Sequence, residues 1–304
     1  MTQTMLILDG GMSRELVRLG GVLRQPEWSA LALMETPAIV GQVHAGFIAA
    51  GADIITTNSY ALVPFHIGEA RFRRDGLPLA RLSGQLARDA ADACTNRKVL
   101  VAACLPPVFG SYEPQLFDAS RVQDYLGVLV EGLQATCDVW LGETLSLIAE
   151  AQAVVEAAAA TRKPVWISFT LDDSGEAFAA SAAKLRSGET VTAAAQWAVS
   201  SGITAMLFNC SQPEVMTHAV ADAAAVFARA GADIRIGVYA NAFEPRQSSA
   251  KANAVLSGTR EQLTPELYAG FACQWAQAGA TIIGGCCGIG AGHIHALAET
   301  FRRA

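Results

Sequence analysis

The chain predicts a single-domain (β/α)8 barrel spanning residues 1–304. Three observations carry this: eight apolar runs of strand length, helical stretches between most of them, and a helix-to-strand junction that recurs. Buried parallel strands read as continuous apolar runs rather than alternating ones. The runs fall at residues 5–8, 53–57, 99–103, 139–141, 165–169, 205–208, 234–239 and 281–283. The intervening Ala-rich stretches are long enough for crossover helices. The junctions are Ala50-Gly51-Ala52-Asp53-Ile54, Ala230-Gly231-Ala232-Asp233-Ile234 and Ala278-Gly279-Ala280-Thr281-Ile282. Each fits a helix that ends on a glycine cap and turns directly into a strand. The last such helix has Thr264 as N-cap and Pro265 at its first position, and runs through Tyr268, Phe271 and Trp275 to Gly279. Residues 247–258, rich in Ser, Ala and Gly, read as a loop after strand seven.

An open doubly wound sheet is the competing architecture. It expects a G-x-G-x-x-G phosphate turn after strand one, and Asp9-Gly10-Gly11-Met12-Ser13 does not have that spacing. No linker, charge block or low-complexity break divides the chain.

Composition sets the class. Apolar residues make up 52% and charged residues 16% of 304, the balance of a folded chain with a large core. A net charge of −6 disfavours nucleic acid or an anionic membrane as partner, since both reward a basic face. The N-terminal stretch lacks a basic segment and a long apolar run, and no apolar run reaches membrane-spanning length. A cytoplasmic setting is expected. There, paired cysteines more often mean metal or catalysis than a disulfide. Seven cysteines, an odd number, do not suit a disulfide scaffold in a chain this long.

In a barrel the active site lies at the C-terminal ends of the strands. Those ends carry Asp9-Gly10-Gly11, Asn58-Ser59-Tyr60, Cys104 with Phe109-Gly110-Ser111-Tyr112, Glu143-Thr144, Thr170, Asn209-Cys210-Ser211, Ala240-Asn241-Ala242 and Gly285-Cys286-Cys287. Neighbouring residues on a strand face opposite ways, so Cys286 and Cys287 need the flanking Gly284, Gly285 and Gly288 to bring both sulfurs to one side. Cys210, two units earlier, supplies a third. Three thiolates select a soft or borderline cation, with Zn²⁺ the usual choice, and leave a fourth tetrahedral position open. Free cysteines also serve as small buried apolar residues, which is the reading for Cys94, Cys104, Cys137 and Cys273. Asp9 before Gly10 also suits a turn. His293 and His295 sit at alternate positions on a helical pattern and read as solvated.

The combination of Asp9-Gly10-Gly11, Asn58-Ser59-Tyr60, Glu143-Thr144, Asn209-Cys210 and Gly284-Gly285-Cys286-Cys287-Gly288 resembles the homocysteine S-methyltransferase family of zinc-dependent barrels. The resemblance implies that Cys210, Cys286 and Cys287 ligate Zn²⁺ and that Asp9 and Glu143 meet the amino group of homocysteine. It implies methyl transfer from a small cationic donor to the homocysteine thiolate, giving methionine. S-methylmethionine is the first expectation for the donor, with S-adenosylmethionine or betaine as others. Phe109 and Tyr112 are candidates for an aromatic wall against such a cation. Asn58, Tyr60 and Asn241 are candidates for the substrate carboxylate. Another thiol or selenol acceptor, such as selenohomocysteine, and a non-catalytic zinc- or thiol-binding barrel are the alternatives. One stretch departs from the family pattern: after strand three many members carry Gly-Pro-Tyr-Gly, and this chain has Leu105-Pro106-Pro107-Val108-Phe109-Gly110-Ser111-Tyr112.

Overall fold

The computed structural model describes residues 4–177, 182–243, 260 and 262–302. All eight expected strands form: β1 (Leu6–Ile7), β2 (Ile54–Thr56), β3 (Leu100–Leu105), β4 (Val139–Leu145), β5 (Val165–Phe169), β6 (Ala205–Asn209), β7 (Arg235–Tyr239) and β8 (Ile282–Ile283). They make one parallel sheet in the order β1-β8-β7-β6-β5-β4-β3-β2. A parallel bridge between Leu8 and Ile54 joins β1 to β2, and Asp9 N–H donates to the Ile54 carbonyl at 3.0 Å, so the sheet closes into a barrel. The fold is a (β/α)8 barrel.

Helices cover the outside: α1 (Met12–Arg18), α2 (Ala30–Glu35), α3 (Pro37–Ala50), α4 (Pro64–Ile67), α5 (Glu69–Asp92), α6 (Val122–Leu133), α7 (Ile148–Ala158), α8 (Val191–Ser201), α9 (Pro213–Ala230), α10 (Pro265–Ala278) and α11 (Ala291–Arg302). No helix among the described residues is long and apolar enough to cross a membrane.

Strand alternation divides the core in two. Leu8, Ile54, Ala102, Leu141, Leu207 and Ile282 belong to a small cluster that fills the barrel. The larger cluster, with Phe47, Trp140, Phe169, Phe208 and Trp275, lies between strands and helices. The glycine junctions form as expected. Gly51 caps α3 at φ 114°, and a Cβ there would stand 2.5 Å from Ala298 of α11, so conformation and close approach both require glycine. Thr264 caps α10, accepting from the Leu267 N–H at 3.3 Å.

Three strands run further than their apolar stretches, because β3 takes in Cys104, β4 takes in Glu143 and Thr144, and β6 takes in Asn209. The β4–β5 register also slips: Gly142 pairs with Ile167, but Leu145, not Thr144, pairs with Phe169. One extra residue is thereby accommodated at Glu143–Thr144, a bulge at the strand's C-terminal end. The expected loop at 247–258 lies outside the described residues.

Candidate active site

The polar strand ends converge on one cavity. Asp9, Asn58, Tyr60, Tyr112, Glu143, Cys210, Cys286 and Cys287 all line it. Asp9 follows β1 and is buried. Its Oδ2 accepts from the Thr56 N–H at 2.7 Å and its Oδ1 from the Thr56 hydroxyl at 3.1 Å. Burial is the main cause that pushes its carboxyl from 3.8 up to about 8, and the Glu143 charge adds to it against the Thr56 bonds. Glu143, inward on β4, is also held above the ordinary carboxylate range by burial, with the Cys104 thiol and Tyr239 hydroxyl acting the other way. Two acids thus share a space that disfavours two negative charges, and a cation entering it relieves both.

The sulfurs come together as the glycine frame requires. Cys210, at the end of β6, adopts φ 50°. The structure pairs its sulfur with that of Cys286 as a disulfide, with Cα atoms 5.8 Å apart. Cys287 Sγ lies 3.9 Å from Cys286 Sγ, and the three sulfurs are all within 4.8 Å of one another. Sulfurs sharing a tetrahedral ion at Zn–S distances near 2.3 Å stand about 3.8 Å apart. The paired cysteines are expected as metal ligands, and here two of the three are oxidised to each other. With that bond reduced, the three-thiol donor set fits one soft or borderline divalent ion with an open position.

The surroundings hold this loop closely. Cys286 N–H donates to the Ala240 carbonyl at 2.9 Å and Ala242 N–H to the Cys287 carbonyl at 2.8 Å. The buried Tyr268 hydroxyl donates to the Gly284 carbonyl at 2.7 Å. Gly11 packs so near that a Cβ would stand 2.5 Å from the Cys286 carbonyl oxygen. His293 is not a solvated helix residue: Gly290 N–H donates to its Nδ1 at 3.3 Å, and its Nε2 lies 2.9 Å from the Leu263 carbonyl. It ties the glycine-rich turn to the start of α10, while His295 is exposed.

Two expected residues fall outside the cavity wall. Phe109 packs edge-on against Phe117 and Tyr125, at 6.4 and 5.7 Å between ring centres, beneath the Arg121 guanidinium. Loop apolarity draws it into the helical layer. Asn241 turns aside to accept from the Phe243 N–H at 3.2 Å. The wall instead contains Trp28, Met12, Tyr239 and Phe243, which the sequence reading missed. Tyr239 had a readable signal, since alternation along β7 turns it inward. Trp28 and Phe243 lie in connections with no periodicity to mark them. Tyr112 does line the cavity, with the Arg186 guanidinium over its ring at 4.8 Å. The Tyr60 hydroxyl is 2.6 Å from that of Ser111, and Asn58 donates to the Ser29 carbonyl at 3.1 Å. Burial pushes the Tyr60 phenol up, so it stays a neutral donor.

Comparison with known proteins adds to this geometry. The residue pattern of the homocysteine S-methyltransferase family matches residues 6–301. Homocysteine S-methyltransferase 1 of Arabidopsis thaliana is 29% identical over 98% of this chain and 93% of its own length. Selenocysteine Se-methyltransferase of Brassica oleracea var. italica is 28% identical over 92% of this chain and 84% of its own. The crystal structure of the homocysteine methyltransferase MmuM from Escherichia coli, in its metallated form, superposes with a TM-score of 0.77 at 27% identity, covering 98% and 96% of the two chains.

Proposed function

The chain belongs to the homocysteine S-methyltransferase family and is a methyltransferase. From that premise we propose that it transfers a methyl group from a small cationic donor to L-homocysteine, with zinc held by Cys210, Cys286 and Cys287. The observation that carries this reading is the meeting of three sulfurs and two inward-facing acids in one cavity. Zinc, when bound, ionises the acceptor thiol and holds it as a thiolate at neutral pH.

The chain's own groups do the rest. Asp9 and Glu143 take the acceptor's ammonium group, each by a charge-assisted hydrogen bond. That contact draws Asp9 to its ionised form and fixes the acceptor's direction. Asn58 and the neutral Tyr60 phenol, which line the cavity, serve the acceptor's carboxylate in this reading. Trp28, Tyr112 and Phe243 give the cavity aromatic faces suited to a sulfonium or quaternary ammonium. In the transfer a new S–CH₃ bond forms on homocysteine. The donor's bond to that methyl breaks, its electron pair stays on the donor sulfur (nitrogen in betaine), and the thiol proton leaves to solvent. With S-methylmethionine both products are methionine. S-adenosylmethionine and betaine are the other donors of the right charge.

Purified protein given homocysteine and each donor in turn, with metal content by elemental analysis, tests this. Methionine formation with S-methylmethionine and bound zinc is the expected result; no methionine from any donor rejects it. A selenol acceptor is a second reading, favoured by the Brassica relative's name. Competition between homocysteine and selenohomocysteine decides between them.

A further inference from the structure

Alternation from Val139 and Leu141 carries Glu143 into the cavity, and the bulge that follows immediately has a cost. Thr144 is forced to φ 61°, a region β-branched residues avoid. It is buried, and the extra residue takes it out of step with the β5 ladder. Asn209, fully buried on β6, reaches across β5 to meet it. Its Oδ1 accepts from the Thr144 N–H at 3.1 Å and from the Ser168 hydroxyl at 2.8 Å. Its Nδ2 donates to Thr144 Oγ1 at 2.7 Å. A backbone N–H can only donate, so the orientation of the Asn209 amide is fixed.

We propose that Asn209 is a positioning residue: by replacing the ladder partner that the bulge removes, it holds Thr144 in its strained turn and so aims Glu143 at the acceptor's ammonium. It is also the residue before Cys210, so one side chain registers the acid against the first sulfur. This rests on the reading of Glu143 given above. Removing the amide frees Thr144 to return to ordinary φ, and Glu143, one residue earlier, swings with it.

Asn209→Ala is expected to raise the homocysteine KM about tenfold or more, with the donor KM within about twofold of wild type and zinc content unchanged. Its crystal structure is expected to place Thr144 at negative φ with Glu143 turned from the cavity. Adding Thr144→Gly restores most of the KM, because glycine holds positive φ without strain. Three results overturn the proposal: Thr144 and Glu143 unmoved in the variant, zinc lost with KM unchanged, or both KM values raised alike. Should Asn209→Ala not fold, Thr144→Val removes the hydroxyl contact at similar volume. A selective rise in homocysteine KM then supports the proposal, and an unchanged KM overturns it. Wild type that binds zinc yet methylates no thiol would sink the assigned reaction alone. The variant structure and homocysteine binding by calorimetry still decide the role of Asn209.

Discussion

At the level of single residues, the three sulfurs and Asp9 make separable predictions. Cys286→Ala or Cys287→Ser is expected to release metal and lower activity by more than about a hundredfold, beyond what loss of an outer hydrogen-bond partner costs. Circular dichroism stays that of the folded barrel, since both residues sit at the mouth and outside the main core. Elemental analysis and the donor assay check both halves. For Asp9 the sign is set by its carboxyl, raised from 3.8 to about 8. Between these values the folded chain binds more protons than the unfolded one, so stability falls as pH rises through the window. The metal-free wild type is expected to lose Tm between pH 5 and 8, and Asp9→Asn to lose less. With Asp9 in its proposed role, binding is expected to follow the opposite sense, because the ammonium needs the ionised acid. The homocysteine KM of wild type falls as pH approaches 8, and in Asp9→Asn it is raised about tenfold and loses that dependence. These residues were legible because their chemistry is unusual for their places: adjacent cysteines in a glycine frame, and an acid at a strand end. Phe109 and Asn241 were legible only as residue types, and packing that no linear pattern encodes sends them elsewhere.

At the level of elements, the apolar runs mark every strand, because burial on both faces leaves no room for alternation. They do not mark strand ends. Cys104 and Glu143 extend β3 and β4 past the apolar stretch, since the barrel's last interior layer belongs to the site. The β4 bulge left no trace in periodicity; it depends on a β6 side chain 65 residues away. The β1 turn tests how closely the loops fit. Gly11→Ala would set a Cβ 2.5 Å from the Cys286 carbonyl oxygen, and both partners are backbone. The loop after β8 must shift, with an expected cost of about 1–3 kcal/mol. Metal retention after dialysis is expected to drop together with Tm, whereas a variant that lowers Tm but keeps its metal would show that the turn does not set the sulfurs.

At the level of the whole molecule, the barrel separates stability from chemistry by its two ends. Opposite the cavity, Asp53 at the start of β2 accepts from Ile7 N–H at 3.0 Å and pairs with Arg97 at 3.3 Å and Arg302 at 2.5 Å. Arg302 also donates to the Gly51 carbonyl at 2.7 Å, so α11 is fastened to the seam where β1 meets β2. Asp53→Ala removes the carboxylate partner of two arginines, which keep only backbone carbonyls, and the acceptor of the Ile7 amide. It is expected to lower stability by about 1–3 kcal/mol, a Tm fall of several degrees, with zinc content and both KM values unchanged. Thermal melts beside steady-state assays check this. The position of β8 between β1 and β7 has one more consequence. As the polypeptide leaves the ribosome, both acids and the first sulfur emerge well before residue 282. The strand that seals the ring and the two remaining sulfurs come out together near the end of synthesis. On the metal reading proposed above, a half-made chain therefore offers no complete set of sulfurs to cellular metals, and loading would wait until the cylinder has shut.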